Sequence, residues 1–179
     1  MVKDAFVLQS LLPITELKKL QQLSLNLYLN NPNYNIGFGR HQWTNLPELF
    51  ELQNLLVELA REEFCSETLV PAWNMLVAYE GIDAKLQKHK DDNACTYHID
   101  LSIFQKQPWG IVVEDTEYIL QENDALFLYG NDQEHWRNEF PNPDNNLVIN
   151  ALLFFVEPDH WLFTKGPEYI DTIRSYSKD

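Results

Sequence analysis

The spacing of apolar and polar residues changes character partway along the chain. Before Ser66 it is helical. Leu17, Leu20, Leu23 and Leu27 recur three or four residues apart, Thr15 stands where a cap belongs, and Asn30, Asn31 and Pro32 end the segment. A polar, Asn-rich loop with Tyr34, Phe38, Trp43 and two glycines follows. A second helix is predicted to begin near Thr44 or Asn45. Pro47 suits its first turn, and Leu49, Leu52, Leu56 and Leu59 form its apolar stripe. Beyond Ser66 the runs are short and rich in β-formers. Residues 75–79, 94–104, 109–114, 117–120, 125–129 and 147–156 read as strands. Glu80-Gly81, Asp115-Thr116, Asn123-Asp124 and Gly130-Asn131 supply the turns between them. Short strands in series make a sandwich or a barrel, and two amphipathic helices ahead of them would cover one sheet. With no repeat and no linker, residues 1–179 read as a single domain. It has helical support over 1–66, a β core over 67–157 and a C-terminal tail over 158–179, where Asp171 and Arg174 fall in a short helix or a tail.

Composition narrows the picture. The chain is 45% apolar, with five Trp, eight Tyr and ten Phe, which is ample for a core and unlike a disordered chain. Thirteen basic residues face 27 acidic ones, a net charge of −14. Such a surface repels phosphate backbones and anionic bilayers, so no nucleic acid and no membrane are expected as partners. The opening MVKDAFVLQSLLPITEL is interrupted by Asp4, carries only Lys3 as a base and has no small-residue cleavage site, unlike a signal peptide. No apolar run approaches the roughly 18 residues of a membrane span. The expected location is the cytoplasm. Cys65 and Cys95 have the spacing of neither a disulfide framework nor a zinc ribbon and read as reduced thiols.

The chemistry starts at His89-Lys90-Asp91. Residues i and i+2 of an extended chain point to the same side, so an imidazole nitrogen and a carboxylate oxygen converge there. Asp92 would face the other way. A third ligand has to come from elsewhere, and His135 is the best placed. It lies just past the predicted strand 125–129, at a separation that lets a barrel bring the chain back beside itself. Two histidines and one carboxylate leave metal positions open, an arrangement suited to non-haem Fe(II). By itself an H-x-D pattern also describes a surface hydrogen-bonded pair. His41, His98 and His160 read as core or surface histidines, Asp100 has no assignable facing, and Trp43, Trp109 and Trp136 line either a pocket or the core.

The context adds to the triplet. Tyr79-Glu80-Gly81 precedes Leu86-x-x-His89-x-Asp91, then comes Trp109-Gly110-Ile111-Val112-Val113. Asn123-Asp124-Ala125-Leu126-Phe127-Leu128-Tyr129-Gly130 leads to His135-Trp136-Arg137. Over residues 73–157 this order resembles the prolyl-4-hydroxylase-like branch of the 2-oxoglutarate/Fe(II) oxygenases, especially small bacterial and phage members with a His-Trp-Arg distal motif. The resemblance implies a mainly β fold, a double-stranded β-helix (jelly roll, cupin-like) flanked by N-terminal helices. It implies His89, Asp91 and His135 as iron ligands, with 2-oxoglutarate and O2 as cosubstrates, and Tyr79 on the 2-oxoglutarate pocket. Asn123-Asp124 replaces the usual Gly-Asp turn, which an asparagine tolerates. Many relatives clamp the far carboxylate of 2-oxoglutarate with an Arg or Lys about ten residues after the distal histidine. The stretch 144–156 has no cation. Arg137 is the nearest substitute, with Asn150 adding a neutral hydrogen bond; the alternative is that Arg137 pairs with Glu134 or Glu139. The activity so implied is hydroxylation of an amino-acid, peptide or small-molecule substrate. The competing class is a cupin-like metal-binding or non-catalytic binding module.

Overall fold

Strands β4 (Val70–Glu80), β6 (Tyr97–Gln105) and β11 (Leu147–Val156) are the longest, and β11 pairs with both others. β11 is buried on both faces, which explains its nearly unbroken apolar run. Leu147, Ile149, Ala151, Leu153 and Phe155 join the core beneath the helices, while Val148, Phe154 and Val156 join the core inside the barrel. The computed structural model describes residues 4–35, 39–140 and 142–163.

The remaining strands are β1 (Phe6–Leu8), β2 (Tyr34–Asn35), β3 (Arg40–Thr44), β5 (Leu86–His89), β7 (Ile111–Val113), β8 (Thr116–Tyr118), β9 (Ala125–Leu128) and β10 (His135–Arg137). A larger antiparallel sheet runs β1-β9-β6-β11-β4-β3-β2, and a smaller one runs β5-β10-β7-β8. Side chains from both sheets line a common cavity, giving a jelly roll. The helices are α1 (Ile14–Asn30) and α2 (Pro47–Phe64). Leu20, Leu49, Leu52, Leu56, Ala60 and Phe64 pack with Leu76, Ile99, Leu101 and Phe127 on the outer face of the larger sheet.

Several boundaries differ from expectation. α1 begins directly after Pro13 without a side-chain cap, so Thr15 lies inside its first turn. Residues 94–104 divide: Asn93–Cys95 is a 3-10 turn and the strand starts at Tyr97. The largest difference is in the Asn-rich segment, where β2 and β3 extend the larger sheet. Their stabilising partner is distant in sequence, since His41 lies opposite Ala78 and Trp43 opposite Leu76. Local propensity cannot register such a pairing. Asp171 and Arg174 lie outside the described residues.

Candidate metal centre

β5 and β10 are neighbours in the smaller sheet, and the ladder places His135 directly opposite His89. Their ring centroids are 4.3 Å apart. Asp91 follows β5, and its N–H donates to Gly130 O at 2.8 Å, which turns the carboxylate back toward both rings. His89 Nε2 lies 3.4 Å and His135 Nε2 3.6 Å from the same oxygen, Asp91 Oδ1. One ligand atom from each of the three residues falls within 4.8 Å of the others.

The two imidazoles are fixed in the same way. Nδ1 of His89 is 2.7 Å from Gln87 O, and Nδ1 of His135 is 3.0 Å from Gln133 O. A carbonyl only accepts, so Nδ1 carries the proton and the Nε2 lone pair faces the shared point. This is the outer bond that metal-ligating histidines use to set their tautomer. The separations to Oδ1 exceed the roughly 2.7–3.2 Å of a hydrogen bond and suit atoms arranged around a common ion. Asp91 Oδ2 is buried without a hydrogen-bond partner among the described residues, as are both nitrogens of His98. His98 Nδ1 stands 3.5 Å from Oδ2, too far for a good hydrogen bond. Burial pushes the Asp91 carboxyl up, but His135, His89 and His98 together hold it well below the usual carboxylate range. The Asp91 carboxylate in turn raises the His89 imidazole, against burial and the Arg40 charge. The donor set thus fits a divalent metal held on one side, with its other positions open.

All the site residues expected from sequence line the same cavity: His89, Asp91 and His135 at one end, with Tyr79, Arg137 and Asn150 further in. Asp92 is turned away and accepts from Ala94 N, capping the 3-10 turn. Arg137 pairs with neither Glu134 nor Glu139 but with Asp100, at 3.3 Å, both side chains being almost fully buried. It also donates to Trp109 O. Asn150 Nδ2 donates to the other Asp100 oxygen at 2.7 Å. Trp109 packs edge-on against Tyr79, whereas Trp43 lies with the helices and Trp136 lies under Lys88. His160 is a loop residue.

The cavity also takes in Arg40, which the sequence reading did not single out, and His98 and Asp100, which it named without fixing their facing. The signal for the last two was present. In β6, His98, Asp100 and Ser102 alternate with Ile99, Leu101 and Ile103, and the apolar set faces the helices. The polar set therefore faces the barrel interior. Arg40 gave no such signal, because β3 is short and is defined by its pairing with β2 and β4.

A jelly roll with two histidines and a carboxylate at one end of its cavity is the class of protein that fold and site define. Solved structures of similar fold are 2-oxoglutarate/Fe(II) oxygenases. SnoN, a non-heme alpha-ketoglutarate dependent epimerase from nogalamycin biosynthesis, aligns with a TM-score of 0.68 at 9% identity, over 86% of this chain and 78% of that one. A Pseudomonas putida prolyl-4-hydroxylase aligns with a TM-score of 0.65 at 11% identity, over 86% and 92%. HygX from Streptomyces hygroscopicus, solved with nickel and 2-oxoglutarate bound, aligns with a TM-score of 0.62 at 8% identity, over 87% and 83%. At these identities the likeness is one of fold. No protein-family model matches the chain, and no curated protein matches it.

Proposed function

We propose that this protein is an Fe(II)- and 2-oxoglutarate-dependent dioxygenase that hydroxylates an amino-acid, peptide or small-molecule substrate. One observation carries the reading: both imidazoles are locked with Nε2 facing the same carboxylate oxygen. A surface His-Asp pair needs no such arrangement. His89, Asp91 and His135 hold the metal. Iron with 2-oxoglutarate and O2 supplies the oxidation of a substrate C–H bond, coupled to conversion of the keto acid to succinate and CO2.

The chain's own residues bind, orient and shield. The Gln87 and Gln133 carbonyls keep the ring protons on Nδ1, so both Nε2 atoms stay available as ligands. Met75, Val77, Leu86, Ile111, Leu152 and Phe154 give the cavity apolar walls that exclude water. Tyr79, Arg137 and Asn150 make its inner end polar, where the far carboxylate of the keto acid lies. A groove lined by Asn138, Phe140 and Pro143 meets the cavity at Leu86, on the strand that carries His89, and is the proposed approach for substrate. Among the described residues no helix is long and apolar enough to cross a membrane.

The test is anaerobic titration of metal-free protein with Fe(II) and then 2-oxoglutarate, followed through the weak visible charge-transfer band of an iron-chelated keto acid. The expected result is a band that disappears in His89→Ala and His135→Ala. Iron uptake with no band would replace the oxygenase reading by a cupin-like metal-binding module.

A further inference from the structure

We propose that Asp100 is a specificity-determining residue. It competes with the far carboxylate of the keto acid for Arg137, so the protein accepts 2-oxo acids that lack this group almost as readily as 2-oxoglutarate. The assignment rests on the oxygenase reading above and refines the inner end of that site.

Arg137 and Asn150 are the donors expected to receive the far carboxylate, and both already hold one that belongs to the protein. Arg137 Nη2 lies 3.3 Å from Asp100 Oδ2, and Asn150 Nδ2 donates to Asp100 Oδ1 at 2.7 Å. The other arm of Arg137 is on Trp109 O, and its Cζ lies 5.0 Å from the centre of the Trp109 ring. Arg137, Asp100 and Asn150 are all almost fully buried, so solvent ions screen these contacts little. The Arg137–Asp100 pair is neutral as it stands. A carboxylate brought to Arg137 adds one negative charge to the pair and stands beside a second carboxylate. Like charges sharing a buried site disfavour one another strongly. Repulsion of this kind is a common source of specificity, because it lowers the affinity for one ligand and spares its uncharged counterpart.

The position suits the ligand's length. His98, Asp100 and Ser102 occupy the interior side of β6, and His98 stands 3.5 Å from Asp91. Asp100 is therefore two residues along the strand from the metal end. That is about 7 Å at the rise of a strand, comparable with an extended five-carbon oxo acid. The walls at this level are apolar. Leu152 lies opposite Asp100 and Met75 opposite Leu152, and both line the cavity. A methyl group in place of the far carboxylate meets these walls and no like charge.

The test compares 2-oxoglutarate with 2-oxovalerate, which carries a methyl group instead of the far carboxylate. Both are followed through the same charge-transfer band, with Fe(II) affinity measured in parallel. Wild type is expected to favour 2-oxoglutarate by less than about tenfold. Asp100→Asn keeps the shape and removes the charge. It is expected to tighten 2-oxoglutarate about tenfold or more, to leave 2-oxovalerate within about twofold, and to leave Fe(II) affinity unchanged. Adding Arg137→Gln to Asp100→Asn is expected to cancel the gain. A wild-type preference above about tenfold would overturn the assignment, and this comparison stands even where Asp100→Asn fails to fold. So would unchanged or weaker binding of 2-oxoglutarate in Asp100→Asn, an equal gain for both acids, or a gain that survives Arg137→Gln. Wild-type protein that takes up Fe(II) and gives no band with either acid would overturn the keto-acid reading itself, and this assignment with it.

Discussion

Gly130 shows how closely single residues are fitted around the candidate metal centre. A Cβ there would sit 2.5 Å from both Asp91 Oδ2 and Cys95 O. The second of these is backbone and cannot swing aside. Gly130→Ala is therefore expected to displace the Asp91 carboxylate and weaken Fe(II) about tenfold or more, the range seen when a ligand loses its outer support. Titration of the metal-free variant checks this, and wild-type affinity would show that Asp91 adjusts freely. Gly39, with φ of +59°, plays the same part beside Arg40, because a Cβ would fall 1.9 Å from Asp83 O. Asn123 illustrates a different solution. It accepts a left-handed backbone, φ 73°, as its place in the turn requires, and its side chain also bonds Leu12 N and O at 2.9 Å each. A glycine would satisfy the backbone and lose both bonds. His89 and Asp91 were legible because His-x-Asp is a chemical pattern of candidate metal ligands, and His135 because it follows the predicted strand 125–129. Arg40 was not, since one arginine in an Asn-rich stretch resembles any solvated cation.

Among elements, α2 and the bulge between β4 and β11 explain each other. The ladder shifts register between Phe154 and Phe155, which locally disrupts its hydrogen bonding. Gln53, fully buried on α2, donates to both Trp73 O and Phe154 O, at 3.0 and 2.8 Å. Its own carbonyl accepts from Asn74. Gln53→Leu keeps the size and removes both donors, leaving buried acceptors unpaired. The expected cost is about 1–3 kcal/mol, seen as a fall of several degrees in Tm. An unchanged Tm would show that water replaces the amide. Helix α2 itself was readable from its leucine stripe, and β11 from its length and apolar run. Gln53 broke that stripe with no hint of purpose, because the bulge it serves forms only when two strands far apart in sequence meet.

For the molecule as a whole, acid tolerance depends on how its many carboxylates are held. Glu157, just after β11, accepts from Ser66 Oγ at 2.6 Å, Thr68 Oγ1 at 2.5 Å and Tyr97 Oη at 3.3 Å, closing the barrel end below α2. The Ser66 and Thr68 hydroxyls hold its carboxyl below the ordinary value, against burial. With the folded pKa lower than the unfolded value of about 4.3, the stabilisation is complete above the unfolded value. It is lost as pH falls through the folded one. Wild type should thus melt above Glu157→Gln at pH 6, with the gap narrowing below about pH 4. A gap independent of pH would show that the hydroxyls bind the neutral amide as well.

Periodicity, turn residues and ligand chemistry are properties of short stretches. They sufficed for two helices, a succession of strands after Ser66 and three residues able to hold a metal. The convergence of those three, the inward facing of His98 and Asp100, and the pairing of Arg137 with Asp100 depend on strand neighbours far apart in sequence. A ladder between distant strands sets which side chains share the interior, and that pairing energy is not written in any local window. Arg40 is a further case: its strand lies between β2 and β4, and the ladder to β4 joins residues far apart in the chain.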